Sequence, residues 1–266
     1  MSQRIDPHYD PRSVDELVNA ALTEQDEDVA WDAVAALHWK GTGEALQRAQ
    51  QLCESQCSHE RRIGADILGQ LGVPDRAFPQ ECASILFAML DSETDADVLR
   101  SIFIAFSHLH EPAVLSSALQ FAEHYDADVR HAVVLALTGF EEQVAVDLLI
   151  QLTSDMDSDV RDWATFGLGT QLDLDTPDIR NALAARLDDS DDETRGEAMI
   201  GLARRKDQRA IPAIQKDLTS VATEKAIEAA TLSESPELVP DLTALRGLPG
   251  LASSFLEDAI AACTPH

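Results

Sequence analysis

A single column of large apolar residues constrains this chain more than any other feature. With Arg161 as a reference point, equivalent positions fall at Ala30, Arg61, Leu99, Arg130, Arg161, Arg195 and Lys225, at intervals of 31, 38, 31, 31, 34 and 30 residues. Seven residues after each stands Leu37, Leu68, Phe106, Leu137, Leu168, Leu202 or Leu232. Self-similarity at a period of about thirty residues is the mark of a stacked-module architecture rather than of one folded-over core.

The rest of the unit is legible from the same reference. Three residues after it come Ala33, Gly64, Ile102, Val133, Ala164, Ala198 and Glu228, and just before it Val29, Val98, Val129 and Val160. These columns share an i, i+4, i+8 spacing, one buried stripe of a helix. Four residues ahead stand Asp26, Asp95, Asp126, Asp157 and Asp191, suited to cap the helix that follows and to complement its positive end. Further helices are expected between these at Val14–Leu22, Glu44–Leu52, Gln80–Leu90, Pro112–Ala122, Gln143–Leu152, Pro177–Leu187, Ala210–Leu218 and Pro236–Leu245, with a last one at Leu251–Cys263. The sum is an all-α chain of about eight antiparallel helix pairs. A single pair cannot bury its own stripe, so neighbours must stack. One solenoid domain over residues 1–266 is expected, with an irregular arm at 1–12.

The Asp-x-(Asp)-Val-Arg strings, each followed by a helix ending in Leu-Gly, resemble the HEAT repeat in its short bacterial form, also found in phycobilisome-lyase-type proteins. The resemblance runs from about Asp15 to Ala262 and implies a right-handed superhelical solenoid. Two departures stand out. The 38-residue interval holds "GQLGVPDRAFPQE", read as a projecting loop, and Ala30 and Leu99 interrupt any ladder of arginine contacts.

Composition restricts the partners. Lys+Arg number 20 against 48 Asp+Glu, a net charge of −28. A nucleic-acid binder gains most of its affinity by neutralising phosphates, so DNA, RNA and anionic membranes are poor partners, whereas a basic protein would be steered in. Solubility or an acid-rich proteome is the plainer explanation of the same charge. Met1-Ser-Gln-Arg-Ile-Asp shows no secretory pattern and no window approaches a membrane span, so a cytoplasmic location is expected. Four cysteines are too few for a disulfide framework.

In such solenoids the second helix of each pair lines the concave face, and its non-core positions are where contacts are sought. These positions hold Trp31, Asp32, Trp39, Arg62, Asp66, His108, His131, Asp162, Trp163, Phe166, Glu197 and Arg204, with Arg100, Ile104, Leu135 and Ile200 among them. Tryptophan and arginine dominate binding hot spots, and an apolar centre with a charged rim is common interface anatomy. The competing reading places the aromatics against the next repeat, where Gly167 and Gly169 leave room; burial distinguishes the two.

No catalytic, cofactor or metal site is expected. Asp155-x-Asp157-x-Asp159 opens like a calcium loop, yet Val160 stands where the turn needs glycine and Phe166 where it needs the closing glutamate. Asp188–Glu193 reads as a solvated turn. Cys53 and Cys57 with His59 lack a second ligand pair for zinc, and His108 and His110 point to different helical sides. Nucleophile-elbow, phosphate-loop and dinucleotide motifs are missing. The expected function is therefore a non-enzymatic scaffold for a protein partner. Segments such as "GADILGQLG" and "DWATFGLG" are similar to HEAT proteins found beside polymorphic toxins, which implies an immunity factor that occludes a basic toxin; a generic adaptor is the other form of this reading. Two alternatives come from resemblance alone: a chromophore-handling lyase subunit using Trp31, Trp39 and His108, and a HEAT-like DNA glycosylase, which −28 net charge disfavours.

Overall fold

A computed structural model describes residues 6–247 and 253–265. Their regular structure is entirely helical, with two 3-10 turns and one π turn beside sixteen α-helices. The chain divides into two compact units, residues 1–136 and 137–266, so that the boundary falls at the last residue of the helix Ala127–Leu137.

The first unit contains α1 (Val14–Thr23), α2 (Glu27–Lys40), α3 (Gly43–Cys53), α4 (Ser58–Gly69), α5 (Pro79–Leu90), α6 (Ala96–Leu109), α7 (Val114–Phe121) and α8 (Ala127–Leu137). Its second helices stack in order, α2 on α4 and α4 on α6, and the first helices do likewise, α1 on α3 and α3 on α5. The second unit contains α9 (Gln143–Leu152), α10 (Ser158–Phe166) continued by a π turn at Gly167–Gln171, α11 (Pro177–Ala184), α12 (Asp192–Arg204), α13 (Ala210–Leu218), α14 (Glu224–Ser233), α15 (Val239–Ala244) and α16 (Ser253–Cys263). Here α10, α12, α14 and α16 stack in succession. Sequence and structure agree on nearly every helix. The stretch from Pro236 resolves into a 3-10 turn, Pro236–Leu238, before α15, and Leu251 and Ala252 lie outside the described residues.

The repeat columns do what their chemistry requires. Leu37, Leu68, Phe106, Leu137, Leu168 and Leu202 are fully buried, as are Ala33, Ile102, Val133, Ala164 and Ala198. Asp26, Asp95 and Asp157 each accept the amides two and three residues on, Asp126 accepts from Asp128, and Asp191 accepts from Thr194. Such caps satisfy amides that a helix start leaves without partners. Val29 departs from its column: it is exposed, because α2 packs against only one other second helix, α4. Glu228, the one polar member of the +3 column, is also exposed.

The reference arginines tie turns together. Arg61 donates to the Ser55 and Gln56 carbonyls and forks onto the Glu93 carboxylate at 2.7 and 3.0 Å. Arg161 repeats this with the Asp155 and Met156 carbonyls and with Asp189 at 3.0 and 2.9 Å. Glu93 and Asp189 stand six residues before Leu99 and Arg195, and each also accepts the amide two residues on, from Asp95 and Asp191. One carboxylate thus closes its own turn and receives the arginine of the preceding repeat, a charge-assisted forked contact.

The expected projecting loop is a correction. The segment after α4 folds onto the C-terminal end of α2: the Gly72 amide donates to the His38 carbonyl at 2.7 Å and the Ala77 amide to the Leu71 carbonyl at 2.8 Å. Gly41 and Gly72 make this possible, since a Cβ on Gly41 would lie 2.7 Å from the Gly72 Cα, and both glycines have positive φ. Ahead of α1, a 3-10 turn at Pro7–Tyr9 is held by Arg12, which forks onto buried Asp10, and by Lys40, which donates to the Asp10 carbonyl.

Candidate functional site

In the first unit, Trp31, Asp66 and His108 come together. They line a hollow of about 100 Å³ with Gly69, Gln70, Ser101, Ile104 and Ala105, between α2, α4 and α6. Trp31 is 48% exposed and meets the His38 ring edge-on at 6.2 Å between centroids. Asp66 is largely buried, and Arg62 one turn before it lies 3.4 Å away. Burial raises the Asp66 carboxyl above its ordinary value, opposed by hydrogen bonding from Ser101 and the charge of Arg62. Asp32 is half-buried beside Trp31. Trp39 lies apart from the hollow: it is 40% exposed and its ring stacks on His8 at 4.3 Å. His131 is half-buried on α8 and does not line the hollow.

His38, which sequence reasoning passed over, is buried beneath Trp31, and its Nε2 is 2.9 Å from the Asp66 carbonyl oxygen, to which the neutral ring donates. Burial depresses it to about 4. The unfolded chain would take up this proton near pH 6.5 and the folded chain only near 4, so stability is complete above pH 6.5 and declines as pH falls toward 4. Between pH 7.5 and 5 the contribution of His38 alone falls by about 2 kcal/mol. Denaturant unfolding of the wild type and of His38→Gln, which keeps a donor for the carbonyl but does not titrate, checks this at both pH values as the difference between the two chains, because the raised Asp162 carboxyl acts in the opposite direction in both.

In the second unit, Asp162, Trp163 and Phe166 share the outer side of α10. Trp163 is 40% exposed and its ring meets that of half-buried Phe166 edge-on at 5.6 Å. Neither aromatic is sealed between helices. Asp162 is half-buried, its Oδ1 is enclosed without a hydrogen-bond partner, and burial pushes its carboxyl up to about 6. Glu197 is buried on α12 and receives Lys225 of α14 at 2.7 Å. Arg204 is exposed at the end of α12 and donates to the Thr170 carbonyl at 2.8 Å. Ile200, read from spacing as a non-core position, is buried because α12 is surrounded by α10, α11, α13 and α14.

Several weaker motifs resolve into structural parts. Asp157 caps α10 rather than a metal. Cys53 is buried, its thiol pushed up to about 12 by that burial, whereas Cys57 is exposed. Among the described residues no group of three or more His, Cys, Asp or Glu could hold a metal ion, and no helix is long and apolar enough to cross a membrane.

Comparison with known proteins agrees with this architecture. The HEAT repeats family matches residues 83–169 and 146–233, together more than half of the chain. The Escherichia coli protein YIBA_ECOLI, solved by X-ray crystallography, is 25% identical over 95% of this chain and 92% of its own, with a TM-score of 0.79. An engineered protein is 18% identical over 94% of this chain and 77% of its own at a TM-score of 0.56, and importin beta is 14% identical over 94% and 42% at 0.60. No curated protein matches. A helical-repeat solenoid is the class that this fold defines. The chain belongs to the HEAT-repeat family, whose scaffold suits protein interaction.

Proposed function

We propose that the chain is a non-enzymatic scaffold that holds a basic protein partner against the outward positions of its second helices. The observation that carries this is the exposure of Trp31 and Trp163, at 48% and 40%, each on a second helix beside a carboxylate, Asp32 or Asp162. Large aromatics kept partly in water beside a carboxylate, one place after the reference position at Trp31 and two after it at Trp163, are the residue type an interface buries at its centre. A net charge of −28 would speed the approach of a basic partner and disfavour a nucleic acid. The narrower form of the proposal is immunity: a basic toxin held in this way would have its active site covered.

The test is co-purification from the native cells, comparing the wild-type chain with Trp31→Ala/Trp163→Ala. A protein retained by the wild type and lost from the variant is the expected result, with helix content and melting nearly unchanged. Identical profiles from the two baits would contradict the proposal.

A further inference from the structure

The outer side of α10 carries more than an exposed aromatic. Asp162, Phe166 and Thr170 follow one another at four-residue spacing, one stripe running from α10 into its π turn, with Trp163 at its edge. Opposite the stripe stand Glu197 of α12, 3.5 Å from the Thr170 hydroxyl, and Lys225 of α14. The charged groups facing Asp162 are Lys225, Glu197, Asp191 and Glu193. Counting Asp162 itself, four carboxylates surround one ammonium.

That ammonium is already committed. Lys225 Nζ lies 2.7 Å from both Glu193 and Glu197, and its stem lies flat across α12 because residue 196 is glycine: a Cβ there would sit 2.3 Å from the Lys225 Cδ. Lys225 is thereby held on α12 rather than on Asp162. Asp162 Oδ1 is closed to solvent, so an incoming group meets the rest of the half-buried carboxyl and the surplus of negative charge around it, which turns away a carboxylate and favours a cation. A flat cation suits this edge, because a guanidinium donates to a carboxylate while its plane lies against an aromatic ring.

We infer that this patch seats an arginine side chain of the partner, the guanidinium donating to Asp162 and stacking over Trp163, whose ring Phe166 meets edge-on. The inference rests on the scaffold reading above and adds the chemistry of the group received. Burial of Asp162 gives it a pH signature: the carboxyl, held near 6, is ionised and accepts the cation at pH 7.5 and is protonated at pH 5.

The experiment uses the full chain with Trp31→Phe and Trp39→Phe, so that Trp163 is the sole fluorophore, titrated at low salt with a capped tetra-arginine peptide. Saturable quenching of Trp163 is expected at pH 7.5, weakened about tenfold by Asp162→Asn and several-fold by Phe166→Leu. Asp178→Asn, an exposed carboxylate of α11, sets the scale of general electrostatics and should change affinity less than twofold. Lowering the pH to 5 should weaken binding about tenfold in the parent and far less in Asp162→Asn. No response from Trp163, equal effects of the two Asp→Asn changes, or tetra-lysine binding as tightly as tetra-arginine would each overturn the inference. Loss of the co-purifying protein in the tryptophan variant would then still support the scaffold reading; only unchanged co-purification removes that as well.

Discussion

Replacing Arg205 with methionine is expected to lower the unfolding free energy by about 4 kcal/mol. Arg205 follows α12, and its side chain is only 6% exposed. The guanidinium donates to the carbonyls of Leu168, Gly169, Leu172 and Leu174 at 2.8 to 3.2 Å and to that of Gly201 at 2.9 Å. Four of these oxygens belong to the π turn and the strand-like exit that follows it, where the helical ladder has run out of amide donors. One arginine therefore closes the C-terminal end of a helix in the preceding repeat. Methionine replaces the stem but leaves five enclosed carbonyls without that donor, and each orphaned group costs about 1 kcal/mol or more. Lysine should rescue little, since its point charge cannot span the fork. Thermal unfolding by circular dichroism would show a fall of roughly 10 °C. A change below about 1 kcal/mol would mean that water replaces the guanidinium at no cost.

Gly201→Ala is expected to cost about 3 kcal/mol at the same junction. A Cβ on Gly201 would lie 2.7 Å from the Gly169 Cα and 3.0 and 3.2 Å from the Leu183 methyls. The obstacle is backbone, and Arg205 anchors that backbone through the Gly169 carbonyl. Gly167→Ala is the contrast: its Cβ would meet the Thr138 hydroxyl at 3.3 Å and Leu149 methyls beyond 3.5 Å, so it should cost less than about 1 kcal/mol. Denaturant midpoints for the two variants at equal m-value check the difference. Equal costs would show that α10 and α12 can separate freely.

These two positions mark where sequence reading stopped. The apolar columns and the acidic caps are periodic and local, so spacing alone located the helices and most of the core. Val29 and Ile200 depart from their columns because burial depends on how many helices surround a position, which the period does not encode. Gly169 was legible as room beside an aromatic; in the folded chain the room belongs to the backbone of Gly201. Arg205 and His38 carry no motif, since what distinguishes them is enclosure by residues more than thirty positions away or in another helix. The carboxylates at Glu93 and Asp189 did have a signal: an acid six residues before the reference, in register with the arginine of the repeat before it.

The candidate contact residues were partly legible for the same reason. Spacing put Trp31, Trp163 and Phe166 off the buried stripe, and the exposure of the two tryptophans and the half-burial of Phe166 follow from it. It could not show that Trp39 would be covered on one face by His8, or that Glu197 would be drawn inward by Lys225. Long side chains reach partners that lie outside a helical period.

Acrylamide quenching of single-tryptophan chains, one retaining Trp31 and one Trp163, measured with and without the co-purifying partner, tests the central claim most directly. Both tryptophans should be quenched readily in the free chain and become strongly protected in the complex, as residues at an interface centre are. A complex that forms at full strength while both indoles stay open to the quencher would show that the partner is held elsewhere.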